Sequence, residues 1–567
     1  MKVKLLFVLS LILTLNLQSQ SWQWAARAGG IGSEKANDMS IDNNGNSYIG
    51  GYYNVGQPAS YSVNFGPFMP AANYGKEGFI AKIDKNGNWI WAQGIIGGYD
   101  ERVLGVHVDK QNNYVYTAGT YWDWGGLNML TLGVCVLNTT SSGGDNIFVS
   151  KSDLNGNCQW LLGVGGGYDD HGYDITSDIQ GNAYLTAFIS SPKVGFGPDT
   201  LGAPPGDSVC VVAKISPSGN FLWARQFGNC DGERDNRIAI DNQNNVYVAG
   251  GFHGTKAFGT TTLTSLNNSI DVFVTKYDQF GNHIWAKRAG GILDDRVNGI
   301  TVDALTQKIY VTGEFRDYAY FDLDTINNNG GPNGRDIFAA KMDRNGNWLW
   351  AKKAGSKSGD ERGNGICSNS KGNIFITGQI TDTAKFGPVI QLIASPTTTT
   401  DVFVAAIDSL GKWHWAIKGG TVKEDRGTGI ACDDSCNIYT SGYYEGAATF
   451  GTNALAQYGK RDVYAARINS ACFNYVLNFD ELFAKETSLI VFPNPANDFI
   501  EIKFDNKGMN SDDIEILFLD VLGRNVNVSP NTNTKELSFN ISHLSQGVYS
   551  INLISEGKTK VVKFVKQ

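Results

Sequence analysis

Just before the first expected strand of each of seven repeats, this 567-residue chain sets an acid directly before a base: Glu34-Lys35, Glu101-Arg102, Asp170-His171, Glu233-Arg234, Asp295-Arg296, Glu361-Arg362 and Asp425-Arg426. Two chemistries are open to such pairs. A ring of guanidinium groups can hold an anionic or polyhydroxy ligand through planar, forked hydrogen bonds. Two carboxylates at the right separation can act as general acid and base on a glycosidic bond. The competing reading is structural, with each Arg paired to a carboxylate of its own or the next unit. An active site breaks symmetry, whereas a structural contact follows it, so repetition favours the structural reading.

Other reactive side chains are sparse. The six histidines are scattered and none forms a His-Glu-x-x-His pair. No Gly-x-Ser-x-Gly elbow and no phosphate-binding Gly-rich loop is present. Eight cysteines occur without a Cys-x-x-Cys pair, which leaves a zinc ribbon unsupported. Cys432 and Cys436 flank an expected hairpin turn and are the one candidate disulfide; unpaired buried thiols are the alternative. The recurring Asp-x-x-Gly-Asn turns, such as Asp84 to Asn88, lack the Asp-x-Asn-x-Asn-Gly order of a calcium loop and lead straight into a strand. No metal and no cofactor is expected. Phe-Gly recurs at Phe65, Phe196, Phe258, Phe386 and Phe450. It either anchors the loop after a strand or offers a ring to a sugar.

The elements that must position these residues form a repeat. The second Trp of a Trp-x-Trp-Ala motif, or its equivalent, falls at Trp24, Trp91, Trp160, Trp223, Trp285, Trp350 and Trp415, at intervals of 62 to 69 residues. Each unit reads as four short strands. In the fifth they are expected over 297–303, 308–315, 336–343 and 348–351, the third and fourth alternating as half-buried strands do. Asp343-Arg344-Asn345-Gly346-Asn347 joins the last two as a hairpin turn. The third and fourth strands each have seven copies, but out of step. The first fourth strand, Trp22-Gln23-Trp24-Ala25, precedes everything else, and the last third strand, 462–469, has no successor. That offset predicts an all-β, seven-bladed propeller in which Trp22 and Trp24 close the ring. An array of separate sandwich domains is the alternative.

The runs Gly-Ile-x-Val-Asp, Gly-Asn-x-Tyr-Val-x-Gly, Asp-x-Phe-Val-x-Lys and Gly-Asn-x-x-Trp-Ala resemble the bacterial seven-bladed propeller repeat often called SBBP, over about residues 22–470. The resemblance implies a fold and an exported context, and no catalytic or ligand residues.

The ends of the chain differ from the middle. Residues 1–20 read as a secretory leader: Lys2 and Lys4, then an apolar run from Leu5 to Leu17. An uncleaved anchor is the alternative. Loss of Lys2 and Lys4 takes the formal charge from −8 to −10, which speaks against a nucleic-acid partner. No later segment is apolar enough to span a bilayer. After the repeats at 21–470, residues 471–488 read as a connector and 489–567 as a small β-sandwich. The sandwich carries Phe492-Pro493-Asn494-Pro495, Gly523-Arg524, Gly547-Val548-Tyr549 and Lys563-Phe564 in order. This ensemble resembles the type A carboxy-terminal sorting domain of the type IX secretion system. The resemblance implies that the secretion machinery reads residues 489–567 and that the cargo is secreted or held at the outer cell surface. A carbohydrate-binding or stalk module is the alternative.

The expected function is an exported binding or adhesion scaffold for an extracellular protein or glycan. A structural surface component, or a glycan hydrolase or lyase, are the alternatives. An enzyme would need one unit to depart from the others. The candidate binding residues are Glu101, Arg102, Glu233, Arg234, Asp295, Arg296, Glu361, Arg362, Asp425 and Arg426.

Overall fold

A computed structural model describes residues 20–472 and 489–567, apart from 56–62, 74, 123–128, 140–142, 229–235, 304–305, 329, 396–397, 505–514, 522, 527, 531–536 and 556–557. The expected leader up to residue 19, most of the connector, and Glu233 and Arg234 lie outside the described residues. The chain separates into two compact units, Met1–Phe473 and Asn474–Gln567.

The first unit is all β and contains seven antiparallel four-strand meanders. The fifth runs Arg296–Val302, Ile309–Phe315, Asp336–Met342 and Trp348–Gly355, within a few residues of the expected bounds. The first strand of each meander packs against the first strand of the next, and that of the seventh, Asp425–Cys432, against that of the first, Lys35–Ile41. The seventh meander is completed from the amino terminus. Ser21–Gly29 pairs antiparallel with Asp462–Asn469, with a bulge between Trp22 and Trp24.

One contact repeats between neighbouring meanders. In most of the hairpin turns the leading Asp carboxylate accepts the amides that follow it, and in the third the Ser216 hydroxyl accepts from Asn220 N–H instead. Asp84 takes the backbone N–H groups of Asn86 and Asn88 at 2.9 and 2.8 Å. The carbonyl of the second turn residue is then left facing outward. The Trp of the preceding meander donates its indole N–H to that carbonyl: Trp24 to Lys85 at 2.9 Å, Trp160 to Pro217 at 3.0 Å, Trp223 to Gln279 at 3.2 Å, Trp285 to Arg344 at 3.2 Å and Trp350 to Ser409 at 3.0 Å. A lysine on the adjacent strand joins it, as Lys341 does on Ser409 at 2.9 Å. The turn glycine is required twice over. Gly87 has φ of +91°, and a Cβ there would stand 2.9 Å from the Trp24 ring. These turns are therefore hairpins whose carboxylates are occupied by backbone amides.

Ser21–Gly29 makes this contact in both directions. Trp24 reaches forward to Lys85 of the first meander, while Trp22 reaches back to the Lys418 carbonyl of the sixth at 3.1 Å. Trp22 also sets its ring edge-on to Phe450 at 5.0 Å. Phe65, Phe386 and Phe450 are fully buried against such Trp rings, so the Phe-Gly motif anchors its loop and offers no face to a sugar.

The cysteine expectation is corrected. Cys436 pairs with Cys472, and Cys135 with Cys158, while Cys367 and Cys432 are free. Cys432 sits within the ladder opposite Ile438, whereas Cys436 lies in the turn at φ of +59°, so the two side chains are not presented to each other. The Cys432 thiol meets Cys367 instead.

The second unit holds a sheet of Leu489–Phe492, Phe499–Phe504, Leu537–Asn540 and Ser529–Pro530, and a sheet of Glu515–Leu519, Gly547–Ser555 and Lys558–Lys566. Ile500, Ile502, Phe518, Phe539, Ile551 and Phe564 form a common core.

Trp22→Ala removes a large buried ring and a hydrogen bond. It is expected to cost about 3–5 kcal/mol, read as a lower midpoint in chemical denaturation of the first unit. A cost within about 0.5 kcal/mol, that of an ordinary surface change, would show that the strand does not hold the fold.

Candidate functional site

The acid–base pairs sit where a loop enters each first strand, and the two members of a pair have separate fates. Five of the acids, Glu34, Glu101, Asp295, Glu361 and Asp425, are tied to the preceding meander by their backbone. Glu101 N–H donates to the Lys76 carbonyl at 2.8 Å, Glu361 to Arg335 at 3.1 Å, Glu34 to Arg461 at 3.0 Å and Asp425 to Thr400 at 2.9 Å. The acid side chain then folds inward and caps the loop. Asp170 accepts from the Gly166, Ser190 and Ser191 amides and from the Ser191 hydroxyl. Asp425 accepts from the Thr421 and Glu445 amides, the former at 2.5 Å.

Glu34, Glu101, Asp295, Glu361 and Asp425 are at most 1% exposed, so no ligand in solution reaches them. Glu101, Asp295, Glu361 and Asp425 therefore leave the list of ligand-contacting candidates. Burial of an acid in repeated form reflects its role as a clamp between meanders.

Several of these acids face a second buried carboxylate at the start of the preceding third strand. Glu34 faces Asp462, and Glu101 faces Glu77. Glu34 Oε1 and Asp462 Oδ1 are both buried with no hydrogen-bond partner among the described residues, and a proton kept on one of the two carboxyls would give the pair a donor. Burial, reinforced by the neighbouring carboxylate, pushes Glu34 up to about 8 and Glu101 up to about 9. Burial, with Asp401 adding to it, pushes Asp425 up to about 7.

The bases stay nearer the surface, and most are held by a carboxylate two residues earlier. Arg102 donates twice to Asp100, both at 2.7 Å. Arg362 meets Asp360 at 2.8 Å and Glu314 at 3.6 Å, and Arg296 lies 3.7 Å from Asp294. His171 lies 3.0 Å from Asp145. The junction of the seventh and first meanders departs from this rule. Lys35 has Ser33 where five of the other loops have an acid. Glu424, which stands two before Arg426, turns instead to Arg461 at 3.1 Å. Lys35 and Arg461 both lie over the Tyr443 ring, at 4.8 and 5.0 Å. Burial and the nearby Arg461 and Arg426 push the Lys35 ammonium down to about 8.

The same loops carry a second feature that the repeat analysis missed. Ile31, Tyr99, Tyr168, Ile292 and Val422 stand two or three residues before the acids, and all are exposed. Their chemical variety, aliphatic in some loops and aromatic in others, hides them from a motif search; their place two or three residues before the acid is the signal that finds them. Beside Ile31, an open cavity of ≈ 710 Å³ is lined by Gly32, Ser33, Asn54, Lys423, Glu445, Gln457 and Arg461, among others. Among the described residues, no group of three or more His, Cys, Asp or Glu side chains converges as a metal site.

In the second unit, the Asn494 amide ties the Pro493–Pro495 segment to the last strand. It donates to the Lys563 carbonyl at 3.1 Å and accepts from Val565 N–H at 2.9 Å. Gly523, at φ of +75°, closes a turn in which Arg524 meets Asp520 at 2.8 Å. Tyr549 stacks on Phe564 at 5.5 Å, two residues after Gly547.

Residues 490–567 match the secretion system C-terminal sorting domain family. That domain marks proteins secreted by the type IX system and either attached to the cell surface or released from it. The chain is a secreted or cell-surface protein whose sorting domain engages the secretion machinery. Among the described residues no helix is long and apolar enough to cross a membrane. An uncharacterized WD repeat-containing protein, L264, of Acanthamoeba polyphaga mimivirus is 24% identical over 393 residues, 56% of this chain and 28% of its own length. The regulatory protein FlaEY of Caulobacter vibrioides is 23% identical over 317 residues, 51% of this chain and 32% of its own length. The chain thus spans about a third of these curated relatives or less. Among solved structures, puromycin hydrolase is 8% identical with a TM-score of 0.36, covering 83% of this chain and 58% of its own.

The buried acids give a pH signature. Glu101 keeps its proton in the folded chain up to about pH 9 but loses it near 4.5 when unfolded. Its contribution is therefore complete below pH 4.5 and is lost as pH rises through 9. Glu101→Gln keeps the hydrogen-bonding shape and cannot ionise. The melting temperature of the variant minus that of the parent is expected to grow from pH 5 to pH 9. A difference that is flat or shrinks with pH would rule out a protonated Glu101.

Proposed function

We propose that residues 21–470 form a seven-bladed β-propeller of the SBBP type. Residues 489–567 deliver it as a type A sorting domain, and the ring acts at the outer surface as a binding scaffold for protein or glycan. The cyclic packing of seven first strands supports the ring. The link made by Ser21–Gly29 to meanders on both sides supports closure at Trp22 and Trp24.

The observation that carries the binding role is the ring-wide face of the entry loops. There, exposed Ile31, Tyr99, Tyr168, Ile292 and Val422 stand beside the bases Arg102, Arg296, Arg362 and Arg426. Exposed apolar groups interspersed with arginine, on loops held by a rigid frame, have the composition of a recognition surface. A hydrolase finds less support. The carboxylates that would do acid–base chemistry are buried and engaged between meanders in the same way at successive junctions.

The test uses the full chain on an array of glycans and on intact cell surfaces. Retention that is lost when Tyr99 and Tyr168 are both changed to Ala, with an unchanged melting temperature, is the expected outcome. Retention that survives the double change would move binding off this face, and failure to bind any surface would favour a structural role. Deletion of 490–567 is expected to leave the protein inside the outer membrane, read by its protection from added protease.

A further inference from the structure

The first and seventh meanders meet at a junction where, among the described residues, two bases of the entry loops have no carboxylate within ion-pair distance, Lys35 and Arg426. Ser33 stands where Asp100, Asp169, Asp294, Asp360 and Glu424 stand in other loops, and Glu424 is taken by Arg461. Arg426 also keeps a buried Nε with no acceptor. A half-buried guanidinium hydrogen left unpaired is costly, so the site lacks an acceptor that an anion would supply. Tyr443 fixes the geometry by lying under both Lys35 and Arg461. Arg461 also lines the adjoining cavity, whose other walls include Ile31, Asn54, Lys423, Gln457 and Lys460, together with the one carboxylate in the lining, Glu445, which Arg461 holds at 2.5 Å.

We propose that this junction binds an acidic polysaccharide. Its carboxylate or sulfate group sits between Lys35 and Arg426, and its neighbouring sugar occupies the cavity. Three features favour a polysaccharide over an acidic peptide. Asn54 and Gln457 carry amides, which both donate to and accept from sugar hydroxyls. Ile31 and the exposed Tyr458, which follows Gln457, offer apolar surface to a sugar ring. The cavity volume lies in the ordinary range of small-molecule sites. Carboxylate and sulfate present the same pair of acceptor oxygens to a guanidinium, so the two sources are separated by experiment. The assignment rests on the binding reading above and narrows it to one junction and one ligand chemistry.

The full chain is titrated with polygalacturonate, dextran sulfate, neutral dextran and poly-aspartate at two salt concentrations. Binding to polygalacturonate or dextran sulfate but not to neutral dextran is expected, weakening as salt rises; the stronger of the two names the acid group. The double variant Lys35→Gln with Arg426→Gln is expected to bind at least tenfold more weakly. Lys385→Ala with Lys412→Ala, two exposed lysines elsewhere with the same total charge change, is expected to bind as the parent does. Each single Gln variant, with a melting curve, serves if the double variant is unstable, and is expected to show a smaller loss. Equal binding by parent and Gln variants overturns the site, and equal binding of poly-aspartate overturns the polysaccharide assignment. Binding of neutral glycans alone defeats this proposal and leaves the general binding role standing, whereas binding to none of the probes and to no surface on the array defeats both.

Discussion

The first unit depends on one hydrogen bond made again and again. An indole N–H of one meander reaches a backbone carbonyl in the hairpin turn of the next, as Trp350 does to Ser409 at 3.0 Å. The bond works because the turn has already satisfied itself. Its Asp side chain absorbs the local amides, and its glycine leaves room for the ring. A buried indole N–H without an acceptor is costly, so a meander that drifts from its neighbour loses both packing and the bond. The amino-terminal strand behaves as other fourth strands do, bonding to the meanders on either side of the one it completes, as Trp348 and Trp350 do in the fifth.

A second constraint divides each acid–base pair. The acid enters the interior because the loop before the first strand brings several unsatisfied amides there, and a carboxyl group is the compact acceptor for them. Where a second carboxyl stands opposite, a retained proton is cheaper than two buried charges. The base stays nearer solvent than the acid, and in several loops it takes the acid two residues earlier as partner, as Arg102 and Arg362 do. The pair therefore carries two roles, a clamp between meanders and a surface cation, and only the cation is available to a ligand.

The second unit has its own logic. The motif residues that identify it are spread over some seventy positions, yet the Asn494 side-chain amide donates to the Lys563 carbonyl and accepts from the Val565 N–H. Gly523 and Arg524 shape a single turn, and Tyr549 stacks on Phe564. These residues form the address by which the protein is exported, and most of them hold local shape rather than chemistry.

Periodicity made much of this legible in the sequence. The Trp spacing, the alternation within strands and the turn residues fix where strands begin and end, because each depends on local chemistry and recurs often enough to count. The sorting unit was legible because its motifs occur in order. The direction in which a side chain points across an interface is not local. Glu101 and Arg102 are adjacent in sequence and chemically paired, yet packing sends one into the interior and the other to the surface. Cys436 stands four residues from Cys432 but pairs with Cys472, because the register of one hairpin turns the two thiols apart. The unpartnered bases follow the same pattern. The sequence shows Ser33 where most of the other loops carry an acid. It does not show that Glu424 turns to Arg461, nor that Lys35 and Arg461 share Tyr443, because side-chain direction decides the first and the second brings Lys35 onto a strand about 400 positions away.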